Sequence, residues 1–211
     1  YLPSSTHMRQ AMIHFLPLLL LLTTIAQTQP ADNALTHLNL IRETRAFKDS
    51  VLRHDSDSPL LADNLPTFSG LAYYPINLRY RIVGQMHLYA RQRQIEVPDT
   101  GGTTITMERF GRIYFTWAEK EYWLEVYRSF ENDQLEAFFR DESNGSTTYS
   151  GGRYVAVEPL QDGLYLIDFN MAYNPYCDYN PAFICPMPPP HNTLPFSIEA
   201  GELTYGTDLA N

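Results

Sequence analysis

The chain has 211 residues, 44% of them hydrophobic and 18% charged, so it can bury a core and is not disordered by composition. Acids outnumber bases 24 to 15, and the formal net charge of −9 argues against nucleic acid or an anionic membrane surface as the main partner. Two cysteines, Cys177 and Cys185, exclude a disulfide-dense scaffold.

Residues 1–26 read as an address rather than as fold. Met8 and Arg9 are followed by an apolar run from Met12 to Ile25, with Thr24 and Ala26 as the small residues of a cleavage site. That layout predicts a secretory signal peptide cut after Ala26, with Tyr1 to His7 as an upstream extension. The alternative is an uncleaved anchor, although the run falls short of the roughly 20 residues a spanning helix needs. Residues 27–211 are then expected to form one domain without a transmembrane span, periplasmic or extracellular after export. Cleavage removes one arginine and no acid, which takes the net charge from −9 to −10.

Ala31 to Val51 has helical spacing, with Leu35, Leu38, Ile41, Arg45, Phe47 and Val51 on or near one stripe and Asp32 as N-cap. The pattern then turns to strands. Tyr80, Ile82, Gly84, Met86 and Leu88 alternate with polar residues, which predicts a half-buried strand. Thr103 to Met107, Arg112 to Trp117 and Tyr122 to Tyr127 predict three more, with turns at Gly101-Gly102 and Ala118 to Glu121. Glu136 to Arg140, Arg153 to Val157 and Leu164 to Phe169 continue the series, and Phe196 to Ile198 is expected to begin a last strand. Strands at short spacing without intervening helices predict an all-β fold, an antiparallel barrel or flattened sandwich, with one N-terminal helix.

Asp168 to Asn192 breaks this rhythm as a long Pro-rich loop, holding most of the seven prolines found between Pro175 and Pro195. Loops of this length in a compact domain are usually functional or linkers. In an oxidising compartment Cys177 and Cys185 are expected to form a disulfide, whose loop of about nine residues is worth roughly 2.5 kcal/mol. The alternative is a metal site of Cys177, Cys185 and His191, but Cys-x7-Cys-x5-His is not a standard zinc spacing. No metal is therefore expected. There is no phosphate-binding glycine loop, no Gly-x-Ser-x-Gly elbow and no His-Glu-x-x-His helix, so no cofactor is expected either.

Three readings of the polar residues near the loop stay open. Arg153 and Asp168 form a buried pair that fixes the loop, or Arg153 binds an anionic ligand with Tyr149, Asp168, Asn170 and Asn174 around it. The third uses Asp168 and Glu202 as an acid–base pair for hydrolysis, assisted by His191. These correspond to a structural or interaction module, a domain that binds a small molecule or envelope component, and a hydrolase-like enzyme.

Several blocks resemble a known family. They are Tyr149-Ser150-Gly151-Gly152-Arg153-Tyr154, Asp168-Phe169-Asn170, Ala172-Tyr173-Asn174-Pro175 with Cys177, Cys185-Pro186, Pro188-Pro189, Asn192 and Ala200-Gly201-Glu202. Weaker features are Ser58-Pro59-Leu60, Phe68 with Gly70-Leu71, Gly111 with Phe115, and Phe139 with Asp141. Together they are similar to a bacterial family known only as a domain of unknown function, DUF 1684. The resemblance implies an exported or membrane-associated envelope protein and no established activity. Asp178, His191 and Leu203 depart from the family pattern.

Overall fold

The computed structural model describes residues 30–130 and 133–207, so the expected signal peptide and its cleavage site lie outside the described residues. Within them an N-terminal helix, α1 (Pro30–His54), precedes six strands: β1 (Arg81–Pro98), β2 (Thr104–Trp117), β3 (Lys120–Arg128), β4 (Leu135–Phe139), β5 (Arg153–Pro159) and β6 (Leu164–Asp168). A second helix, α2 (Tyr176–Tyr179), is one turn long. All strand pairs are antiparallel, and β1 pairs with both β2 and β6, so the sheet closes on itself.

The alternation expected from Tyr80 onward holds through Met86: Ile82, Gly84 and Met86 face inward. Leu88 does not. Past it, the four residues Tyr89 to Gln92 stand against Phe110 alone, and this bulge turns Leu88 out to 59% exposure. Thr103–Met107 and Arg112–Trp117 are the two ends of the single strand β2, which bulges at Phe110 instead of breaking. β1 and β2 approach closely enough that only glycine fits at two points. A Cβ on Gly84 would lie 2.5 Å from the Tyr114 carbonyl oxygen, and one on Gly111 would lie 2.7 Å from that of His87. The turn expected over four residues is a two-residue hairpin. Ala118 and Glu119 are both left-handed, as a type I′ turn requires, and Trp117 pairs with Lys120.

Inward side chains from every strand form the core, including Ile113, Leu124, Val126, Phe139, Val155 and Ile167. Phe196 to Ile198 is not a strand. Pro195 precedes it, and the Ile198 and Ala200 carbonyls accept hydrogen bonds from the Arg153 guanidinium rather than from a neighbouring strand. Helix α1 turns Ile41 and Leu52 inward with Arg45 and Lys48 between them, while Leu35, Phe47 and Val51 of the expected stripe are exposed. Leu52 packs with Leu60, Phe68, Leu71 and Tyr179 in a second small cluster.

β3 and β4 pair at only two positions, Tyr127 with Glu136 and Arg128 with Leu135. Beyond them the strands part, and Asn192 fills the gap. Its carboxamide accepts from the Glu125 amide at 2.7 Å and donates to the carbonyls of Glu125 and Phe138 at 2.9 and 2.8 Å. Replacing Asn192 by Ala leaves these backbone groups buried and unpaired, each worth about 1–3 kcal/mol. Chemical denaturation of N192A is expected to show a loss of about 3 kcal/mol or more, and a loss below about 1 kcal/mol would contradict the bridging role.

Candidate functional site

The residues singled out in the sequence fall into separate places. Arg153 is wholly buried and pairs with Asp141 at 2.7 Å, not with Asp168, while also donating to the carbonyls of Ile198 and Ala200. It holds the C-terminal segment to the sheet. Asp168, at the end of β6, binds His37 of α1 at 2.6 Å and accepts from the Asn170 amide and side chain. Asn170 spans to Asn77, accepting from its amide at 2.8 Å and donating to its carbonyl at 2.9 Å. Asn174 donates to Asp178 and to the Leu203 carbonyl. Glu202 is wholly buried, bonded to Lys48 at 2.7 Å and to the Tyr179 hydroxyl, and shares no cavity lining with Asp168. His191 lies at Glu125, with Nε2 2.5 Å from the carboxylate.

The expected Cys177–Cys185 disulfide is absent: both residues are free thiols. The Cys177 amide donates to Cys185 Sγ at 3.3 Å, and the Tyr149 hydroxyl lies 3.5 Å from Cys177 Sγ. A side-chain hydrogen bond between the two thiols pulls the Cys177 thiol down to about 6. Backbone pairing does the work assigned to the bridge. Thr100 donates to the Cys185 carbonyl at 3.0 Å, and Met187 donates to the Pro98 carbonyl at 2.7 Å. Tyr173 and Tyr154 exchange both of their backbone hydrogen bonds at 2.9 Å. The segment after β6 is thus laid along the outer face of the sheet, with single 3-10 turns at Phe169–Met171 and Pro190–Asn192.

A cleft of about 490 Å³ opens between this segment and the sheet. The two-residue period explains its floor. On β4, Leu135, Ala137 and Phe139 pack into the core, so Glu136 and Phe138 face out. The neighbouring strand β5 adds Tyr154, and the rings form a row, Phe138 to Tyr154 at 4.4 Å and Tyr154 to Tyr173 at 5.7 Å, while Tyr127 stacks on Phe138 at 5.5 Å from outside the cleft. Tyr176, Phe183 and Ile184 from the segment form the roof, with Cys185 and Pro186 at its end. Among the described residues no Lys, Arg or His lines this cleft.

Among the described residues its single carboxylate is Glu136, which accepts a hydrogen bond from the Tyr173 hydroxyl. Burial raises the Glu136 carboxyl above its ordinary value, and the Tyr173 bond only partly offsets this. The cleft is therefore an aromatic-walled cavity with one uncompensated acid. Sequence reading missed Glu136 and Glu125. The available signal was an acid placed between apolar neighbours in a strand, Leu135-Glu136-Ala137 and Leu124-Glu125-Val126.

Among the described residues, no group of three His, Cys, Asp or Glu side chains is arranged to hold a metal ion. No helix there is long and apolar enough to cross a membrane. A family described as "Protein of unknown function (DUF1684)" matches residues 66–203. The chain belongs to this family. Among solved structures, the chain is similar to an uncharacterized protein from Haloarcula marismortui, determined by solution NMR, which is 28% identical and superposes with a TM-score of 0.66. The match covers 85% of this chain and 99% of that one. No curated protein matches the chain. The family region contains the whole cleft and begins after α1.

Removing Arg153 strands Asp141 in the interior and frees the carbonyls of the C-terminal segment. Arg153→Met is expected to lower stability by about 3–5 kcal/mol in a denaturant titration. A folded R153M protein within about 1 kcal/mol of the parent would show that the pair does not anchor the segment.

Proposed function

We propose that the protein is a non-enzymatic binding domain whose cleft takes a small organic cation with an apolar body, such as a primary or quaternary amine. Glu136 carries this reading. It is a half-buried carboxylate with no basic neighbour, set among Phe138, Tyr154, Tyr173, Tyr176 and Phe183. Aromatic faces attract a cation, each by about 0.5–2 kcal/mol, and an unpaired acid in the same hollow supplies the countercharge. An anionic ligand would meet like charge there. The hydrolase reading has less support, because Asp168 and Glu202 are spent on His37, Lys48 and Tyr179. Export belongs to the same proposal, supported by the layout of Met8 to Ala26.

The test is a calorimetric titration with benzyltrimethylammonium and choline, each set against a neutral isostere in which carbon replaces the nitrogen. The cations are expected to bind at least tenfold more tightly than the isosteres, and E136Q should remove that preference. Equal affinity for cation and isostere would overturn the proposal. The affinity should also fall as pH drops through the raised Glu136 value, because a proton competes with the ligand for the carboxylate, whereas E136Q should show no such slope.

The same residue makes a prediction about stability. A carboxyl raised in the folded state loses stability as pH rises through its folded value, so above that value the charge works against folding. Glu136→Gln is therefore expected to keep or raise the melting temperature at pH 8, since its amide oxygen still accepts from Tyr173. A clear drop in melting temperature would mean that Glu136 has a structural partner the cleft conceals.

A further inference from the structure

The outer face carries a second feature, on the other side of the Cys185–His191 segment. The β1 bulge brings out Tyr89, Arg91 and Gln92, and Arg93 follows where pairing resumes. Arg93 stands directly opposite Arg109 of β2, and like charges facing across a ladder repel. Arg112, further along β2, lies with its guanidinium 4.2 Å from the centre of the Trp123 ring. Its Nε is buried and has no hydrogen-bond partner. Two hollows adjoin here and share Arg109. One, of about 230 Å³, has Arg109, Arg112, His191 and the two acids Glu96 and Glu125 in its lining; the other, of about 200 Å³, is lined by Tyr89, Arg91, Arg93 and Arg109.

The acids nearby are already engaged. Glu125 accepts from the Tyr89 hydroxyl at 2.7 Å and from Arg109 Nε, and it holds His191 at 2.5 Å. Glu96 accepts from the hydroxyls of Thr104 and Thr106. Among the described residues no carboxylate pairs with Arg91, Arg93 or Arg112. An acidic chain has therefore gathered four arginines at one spot, three of them without a salt bridge, and Arg112 feels the Glu125 charge only from beyond contact.

We propose that these joined hollows bind a small oxyanion of the phosphate class, held by Arg112, with Arg91 and Arg93 at the rim and His191 at the inner wall. The Trp123 face fixes the plane of the Arg112 guanidinium, and its hydrogen bonds with Tyr89 and Tyr114 are to neutral groups that leave the charge for an oxyanion. Glu125 orients Arg109 and His191 without exhausting the positive charge. Recessed hollows of this size suit a single phosphate group, either free or on a lipid headgroup, better than a strand of polyanion.

Inorganic phosphate titrated into ¹⁵N-labelled full-length protein tests this, read from the arginine Nε and Trp123 indole resonances. Saturable shifts are expected at these groups, with binding at least tenfold weaker in Arg112→Gln. A second variant, R91Q/R93Q, alters only exposed side chains and should weaken binding severalfold even if R112Q folds poorly. A parallel arm uses vesicles of phosphatidylcholine with and without phosphatidylglycerol. Vesicle binding that depends on phosphatidylglycerol and is lost in R91Q/R93Q supports a headgroup as the source, and phosphate binding alone supports a free ligand. No saturable response to either probe overturns the site, as does wild-type affinity in both variants. Duplex DNA binding without a phosphate response would also overturn it. This experiment is independent of the amine titration, so either site can fail without the other.

Discussion

β3 and β4 run together for two residue pairs and then separate, and the outer face of the molecule is organised around the opening they leave. A sheet cannot leave backbone amides and carbonyls buried and unpaired, so something must enter the gap with both a donor and an acceptor. The Asn192 carboxamide has both and takes the place of a peptide unit between Glu125 and Phe138. Once Asn192 is seated, the chain before it has no freedom to leave the surface. Arg140 and Leu194 complete the seam, through Arg140 N to the Asn192 carbonyl at 2.9 Å and Leu194 N to the Arg140 carbonyl at 2.8 Å.

That anchoring explains why a Pro-rich stretch is ordered here without a ladder of its own. Prolines remove donors, and the segment carries six of them between Pro175 and Pro190. It relies instead on a few well-placed bonds to Pro98, Thr100 and Tyr154 at one end and to β3 and β4 at the other. Between these ends it crosses the face of the sheet as a strap. The strap divides the outer surface into an aromatic, acid-bearing cleft on one side and an arginine-lined hollow on the other. Tyr127 belongs to the wall of the second and Phe138 to the floor of the first, and their rings stack at 5.5 Å.

Much of the architecture was legible from periodicity. The helix and most of the strands follow from spacing, because alternation against a core leaves a direct trace in sequence, whereas the strand expected at Phe196–Ile198 does not form. The bulge at Tyr89 left none, since an exposed polar stretch reads the same whether or not it stays in register. The partners of Arg153 were not legible either: Asp141 precedes it by 12 residues across the β4–β5 connection, and nothing local marks the pair. The two informative acids were hidden for a different reason. On a closed sheet an outward Glu reads as solvated, and Glu125 and Glu136 become buried only because the strap covers that face. Their environment is a property of the covering, which strand patterning does not encode.

Burial alone does not separate a working charge from a supporting one in this molecule. Arg153, Glu125 and Glu202 are all buried, yet each has its charge matched by opposite charge and its polar atoms largely taken up by fixed hydrogen bonds. Breaking such a group destabilises the fold because an uncompensated partner is left behind. Glu136 differs in kind. It has one neutral donor, no cation and an open cavity in front of it, so its ionised form costs stability in the empty protein. The cation binding proposed for the cleft would offset that cost. The same reasoning applies with opposite sign to Arg112, whose Nε is buried without an acceptor while its ring-stacked plane is held ready for one. The strap thus separates an acid-bearing cleft from hollows lined by arginines.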